Sequence, residues 1–213
     1  RVAPTPALSV GAPDRFPEDG ELAVRAYRTA GSVEYAAYGY LGRFKQPVGM
    51  NHGGPSFPRL NVWGASLRRP VGAGLVNAEV AWYDSREDSD GQVPGIPNSQ
   101  FRALLGWERE VARNTTVGLQ AYLEHTLDHD ALIEHSPWPT FEPNRNRSVL
   151  TARLTQLSMQ QRLTTSLFLF ASPSDHDWHL RPRLAYRKDD RWLYTLGANL
   201  FGGRDPNTFF NQL

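Results

Sequence analysis

Four residues at alternate positions late in the chain, His179, Arg181, Arg183 and Arg187, pose the first chemical question. Guanidinium groups present fixed forks of donors to carboxylates and phosphates, so a row of them at period two describes a surface for anions. The interleaved set contains Leu180, Leu184 and Tyr186. An extended strand sends successive side chains to opposite faces. This stretch therefore has one cationic face and one apolar face.

Three other clusters have residue types that do chemistry. "HTLDHD" brings together His125, Asp128, His129 and Asp130, with His135 beyond. On a helix, His125 and His129 would share a face and suit a transition metal. The segment lies where a strand passes into a long loop, however, and a solvated polar loop needs the same residues. "DSREDSDG" at 84–91 has carboxylates that suit calcium but lacks the full EF-hand spacing and its closing glutamate. A looser bridging of this loop to anionic lipid head groups by divalent ions fits it better. Ser172, Asp175 and His176 crowd into one short loop with no nucleophile elbow around the serine. No catalytic residue, metal ligand or cofactor is assigned from these clusters, and no enzymatic activity is expected.

The elements that must position these side chains are bounded first by composition. No window of the 213 residues approaches the uninterrupted apolar length, roughly 18 residues, of a membrane-spanning helix. The net charge of +1 gives no long-range field that would recruit nucleic acid, and no nucleic-acid partner is expected. The absence of cysteine removes disulfides, thiol catalysis and thiolate metal sites, and it suits passage through an oxidising compartment. The opening "RVAPTPALSVGAPDRFPEDG" has neither an initiating methionine nor a basic-then-apolar leader. Processing or truncation of the natural start is expected.

Residues 1–20, rich in proline, glycine and small side chains, read as loop, and residues 21–213 as one β-structured portion. Ten segments of about 8–11 residues show period-two patterning: 21–29, 33–42, 59–68, 74–84, 99–110, 115–125, 148–157, 161–171, 178–187 and 191–202. In "TVGLQAYLE", Val117, Leu119, Ala121 and Leu123 oppose Thr116, Gly118, Gln120, Tyr122 and Glu124. The same division sets Val76, Val80 and Trp82 against Glu79, and Phe101, Leu105 and Trp107 against Arg102 and Glu108. "RLNVWGASL" resists assignment, because Leu60 and Val62 fall on one face and Trp63 and Leu67 on the other. Short connections near 30–32, 69–73, 111–114, 158–160 and 188–190 alternate with mostly longer ones at 43–58, 85–98, 126–147 and 172–177.

Short turns at one rim and long loops at the other form the pattern of transmembrane β-barrels. A soluble barrel also alternates, with its apolar face buried in a core. Two features favour the membrane. Aromatic residues lie near the ends of the apolar rows, at Trp82, Trp107, Trp178, Trp192 and Tyr194, as interfacial girdles require. The polar rows carry Gly, Thr, Gln, Arg and Glu deep inside the segments, which a wet lumen tolerates and a dry core does not. The fold class expected is all-β, an antiparallel up-and-down transmembrane β-barrel.

The stretches "NAEVAWYDSRED", "IPNSQFRALLGWERE", "TVGLQAYLEH", "FLFASPSDHDWHLRPRLAYRKDDRWLYTLGANLFGG" and "TFFNQL" together resemble the C-terminal part of a bacterial outer-membrane porin-like protein. The resemblance spans residues 20–213 as a pattern of strands and turns. It implies a location in the bacterial outer membrane and carries no active-site residue. Such barrels commonly end in a strand closing on a terminal aromatic, whereas this chain stops in "NTFFNQL". Both termini then fall at the long-loop rim, so the expectation is a portion of a larger barrel. Its missing strands would come from the same or another chain, because open sheet edges cost several kcal/mol per unpaired backbone group in hydrocarbon.

Residue assignments follow from cost. An arginine on the lipid side costs about 2–4 kcal/mol near the midplane. Glu79, Arg102, Glu108, Gln120, Glu124, Arg153, Arg181, Arg183 and Arg187 are therefore expected to line the pore. Val76, Val80, Trp82, Leu119, Leu123, Leu167, Leu169, Leu196 and Leu200 are expected to face lipid. Pro182 cannot donate to a ladder, so a bulge or strand end is expected there. The glutamates come from mid-chain segments and most of the arginines from later ones, so acidic and basic arcs are expected to face each other. The function expected is passive passage of small polar or charged solutes, with a weak preference for anions. The alternatives are a barrel that sheathes or anchors a partner such as a redox carrier, and a soluble ligand-binding β-barrel.

Overall fold

The computed structural model describes residues 20–51, 54–204 and 208. The loop assignment for residues 1–19 and the terminal "NTFFNQL" lie wholly or mostly outside the described residues. So does the assignment of both termini to one rim.

The alternating segments become strands β1 (Leu22–Ala30), β2 (Val33–Arg43), β5 (Arg59–Val71), β6 (Gly74–Ser85), β7 (Gln100–Ala112), β8 (Thr115–Thr126), β9 (Asn146–Ser158), β10 (Leu163–Ser172) and β11 (Asp177–Arg187). The tenth segment is divided into β12 (Leu193–Gly197) and β13 (Leu200–Gly203). All eleven form one antiparallel sheet in the order β1-β2-β5-β6-β7-β8-β9-β10-β11-β12, with β13 also paired to β11. Each long strand pairs with its neighbours along the chain, the up-and-down topology that the alternation requires. β1 and β12 are the edges, and the sheet is open.

Turn chemistry explains the short rim. Ala30 pairs with Val33, and Val71 with Gly74, leaving Gly31-Ser32 and Gly72-Ala73 as two-residue loops. The glycines have φ of 60° and 58°, and glycine leading a two-residue hairpin loop suits the twist of the flanking strands. The β9–β10 turn lacks that chemistry. Met159, Gln160 and Gln161 all have φ between 51° and 66°, a region that costs a side-chain-bearing residue about 1–2 kcal/mol. Gln160→Gly is expected to stabilise the fold by about 0.5–1 kcal/mol. A denaturant midpoint no higher than wild type would refute that.

The other rim carries the long connections. Residues 44–58 include a small hairpin of β3 (Gly49–Asn51) and β4 (Gly54–Ser56). The β8–β9 connection holds a seven-residue helix, α1 (His129–His135), and a 3-10 turn at Pro139–Phe141. Neither piece was visible in the sequence pattern, because each is too short to show a period. The Met50 amide donates to the Gly95 carbonyl at 2.7 Å and ties the first two loops together.

Register settles "RLNVWGASL". Leu60 and Val62 share the polar face, while Trp63, Ala65 and Leu67 share the apolar face. The exception has a cause: Leu60 and Val62 bound a cleft with Phe44, Val48 and Pro97, so the long loops lean over the polar face and cover them. Trp63 rests against Gly39 of β2, where an added Cβ would sit 3.0 Å from its ring.

Pro182 has the expected effect, displaced by one strand. It lies inside β11 and pairs normally with Leu167 on β10. Its missing N–H falls on the other side, where the Ala198 amide still donates to the Pro182 carbonyl at 3.1 Å. The reciprocal bond cannot form. The register on either side, Arg183↔Gly197 and Leu180↔Leu200, is unchanged. One proline therefore splits a continuous edge strand into β12 and β13.

Candidate functional site

Residues opposite each other in an antiparallel ladder point to the same side of the sheet. One series is thereby fixed across five strands. Glu108 on β7 pairs with Gly118, Gly118 with Arg153, Arg153 with Phe168, and Phe168 with Arg181. The same side carries Glu79, Arg102, Gln120, Glu124, Arg183 and Arg187. All nine polar residues assigned from the sequence share this face.

The opposite side carries Val76, Val80, Trp82, Leu119, Leu123, Leu167, Leu169, Leu196 and Leu200. It is uncovered: Leu105 is 57%, Leu150 50% and Leu196 72% exposed. Only five hydrophobic residues among those described are buried, namely Ala36, Leu60, Ile96, Leu132 and Val149. This sheet does not bury its aliphatic rows in a core. Near the long-loop rim, Trp63, Trp82 and Phe101 are cross-strand neighbours and form an aromatic row on the same face.

The polar face carries one bonded cluster and, apart from it, several charged groups without partners among the described residues. Arg102 Nε lies 3.3 Å from the Glu124 carboxylate and 3.0 Å from Gln100 Oε1. Its guanidinium stacks 3.9 Å over the Tyr83 ring. Tyr122 donates its hydroxyl to Glu124 at 2.8 Å. Two of the sequence-assigned charges thus neutralise each other. Toward the short-turn rim the pattern changes: Arg68, Glu79, Glu108, Arg153, Arg181 and Arg183 make no side-chain hydrogen bond or ion pair among the described residues. A cleft of about 360 Å³ lies among Arg68, Glu79, Glu108, Gly118, Gln120 and Arg153.

The parity of the sequence places Tyr83 and Tyr122 on this face, although neither was among the residues assigned to line the pore. Sequence reasoning missed Arg68 and Arg147. Arg68 sat in the unassigned segment, and Arg147 lies just before the segment as it was bounded, inside the actual β9.

Arg147 anchors a second network at the long-loop rim. Its Nε donates to Asp175 Oδ2 at 2.8 Å, and Ser172 Oγ donates to the same oxygen at 2.9 Å. Asn144 Nδ2 reaches Asp175 Oδ1 at 3.1 Å. Burial pushes the Asp175 carboxyl up, but the hydrogen bonds from Arg147 and Ser172 and the Arg147 charge outweigh it and hold the group below the ordinary aspartate range. Ser172 is bonded to the carboxylate directly, and no hydrogen bond links it to His176. That geometry fastens a tight loop and does not activate a nucleophile.

The histidine cluster is dispersed in the same way. His125 Nδ1 meets Asn146 Oδ1 at 2.7 Å, His129 Nε2 meets the Pro143 carbonyl at 2.9 Å, and His135 Nδ1 meets the Ala131 carbonyl at 2.9 Å. Among the described residues no group of three or more His, Asp or Glu side chains converges as a metal site.

In "DSREDSDG", Asp88 is the buried member at 1% exposure. Its Oδ1 accepts from the Gln92 amide at 3.0 Å, and its Oδ2 has no partner. Desolvation raises its carboxyl above the ordinary range, against the pull of the 91–93 backbone amides. A raised folded value means stability is greatest below the unfolded value and falls as pH rises through the folded one. Asp88→Asn keeps the acceptor and removes the charge. It is expected to raise the melting temperature at neutral pH and to flatten its pH dependence; an unchanged or lower neutral melting point would contradict this.

No family model, curated protein or solved structure matches this chain.

Proposed function

We propose that the chain forms part of the wall of an outer-membrane channel, with its apolar face in lipid and its polar face lining a lumen for small polar or charged solutes. The observation that carries this reading is sidedness. From β5 to β11, seven strands hold one register in which an uncovered apolar face, interrupted by Arg69 and Arg109 near the short turns, backs a face rich in Arg, Glu, Gln and Thr. Membrane barrels alternate apolar-out and polar-in, and a tilted strand of about 9–11 residues crosses the hydrocarbon. The nine long strands of this sheet run from 9 to 13 residues.

The open edges β1 and β12 are satisfied in this reading by further strands, from the same or another chain, because unpaired backbone is costly in lipid. Loops leaning over Leu60 and Val62 narrow the mouth. The unbonded charges then set ion preference. Arg68, Arg153, Arg181, Arg183 and Arg187 outnumber Glu79 and Glu108, so anions are favoured. The test is single-channel conductance in a planar bilayer under a salt gradient. Discrete steps with a reversal potential on the anion side are expected. Stable insertion without steps would contradict the channel and leave a scaffolding barrel. A protein that remains soluble without detergent and does not insert would contradict the membrane reading itself.

A further inference from the structure

We infer that the cleft beside Gly118 is a station for small zwitterionic solutes, taking a carboxylate at Arg153 and an ammonium group at Glu108 and Glu79. The inference deepens the channel reading and rests on it for the route by which solute arrives.

Three observations carry it. The cleft holds about 360 Å³, room for a solute of several heavy atoms together with water. Its four charged members, Arg68, Glu79, Glu108 and Arg153, are unbonded among the described residues, although the same face pairs Arg102 with Glu124 one strand apart. The third is the glycine between the charges. Glu108 and Arg153 flank Gly118 in one row of the ladder, two strand spacings or about 9–10 Å apart at the backbone. A Cβ on Gly118 would sit 3.8 Å from Glu108 Oε2 and 4.0 Å from the Arg153 Cβ. Glycine inside a strand weakens it and often marks a close approach by another group. Here a side chain larger than a methyl group would fill the space between the opposite charges.

The balance of charge selects the ligand. A simple anion gains Arg153 and Arg68 but meets Glu108 and Glu79, and a simple cation meets the reverse. A solute carrying both charges is favoured at both ends, so the same groups that accept it reject its half-charged analogues. Phe168, beside Arg153 in the row, offers an apolar wall for a short side chain.

The test uses the full chain in detergent micelles, with glycine as probe and acetate and methylammonium as half-ligands, read by saturation-transfer NMR titration. Glycine is expected to bind at least about tenfold more tightly than either half-ligand, since each end adds a charge-assisted contact. Arg153→Gln and Glu108→Gln are each expected to weaken glycine by about tenfold or more. Exchanging the pair, Glu108→Arg with Arg153→Glu, is expected to restore glycine binding, because a zwitterion can turn round. Gly118→Leu, checked for native circular dichroism, is expected to abolish it. Glycine binding no tighter than acetate, or unchanged by Arg153→Gln, would overturn the inference. Conductance separates the two readings: steps without glycine binding leave the channel and remove the station, and glycine binding without steps does the opposite.

Discussion

Leu119→Arg is expected to destabilise the bilayer-inserted protein by about 2–4 kcal/mol, while Gln120→Arg, one residue further along β8, changes it by less than about 0.5 kcal/mol. The two positions are adjacent in sequence and differ only in face. Leu119 lies on the uncovered apolar side, 46% exposed, and pairs with Trp107 and Ala152. Gln120 pairs with Gly106 and Thr151 on the polar side, where its Oε1 accepts from Thr151 Oγ1 at 3.2 Å. In the proposed membrane reading, a guanidinium at 119 must leave water for hydrocarbon, and one at 120 stays in a polar, hydrated environment. Denaturant titration of folding into lipid vesicles reads both values. Equal losses at the two positions would show that the faces are not in different solvents.

The second large effect is at the long-loop rim. Asp175→Asn is expected to cost roughly 1.5–3 kcal/mol at neutral pH, the worth of a hydrogen bond to a charged group. The Asp175 side chain is 16% exposed and that of Arg147 33%, so solvent screens the pair only in part. The amide also turns a donor toward groups that already donate: Arg147, Ser172 and Asn144 all point at the carboxylate. The sign with pH is fixed by the lowered folded value. The contribution is present above the unfolded aspartate value, about 3.9, and is lost as pH falls through the folded one. Wild type and Asp175→Asn should therefore converge in strongly acid solution. A gap that persists there would mean the carboxylate charge is not what holds the loop.

Much of the architecture was legible because a period of two is a strong constraint. One misplaced residue would move an arginine onto the apolar side, so the parity of Arg181, Arg183 and Leu184 fixed their faces before any ladder was known. The turn glycines Gly31 and Gly72 fixed two hairpins in the same local way. What was illegible depends on contacts between distant segments. Leu60 and Val62 broke the alternation because loops far along the chain cover them. Pro182 announced a broken ladder, but which of its two neighbours would break depends on the direction of its missing donor. The Asp175 network joins loop and strand residues through three-dimensional proximity, and nothing in its local spacing singles it out. Pairing of Arg102 with Glu124 was likewise invisible, while the unbonded state of Glu108 and Arg153 needed the position of Gly118 between them.

In the proposed reading the two faces of this sheet meet different solvents. The chain has no cysteine, so single cysteines placed in turn at 117–124 of β8 can be probed with a water-soluble maleimide in lipid vesicles. Labelling is predicted at Gly118, Gln120, Tyr122 and Glu124, with Val117, Leu119, Ala121 and Leu123 protected. Labelling in the opposite phase, or at every position alike, would contradict the account.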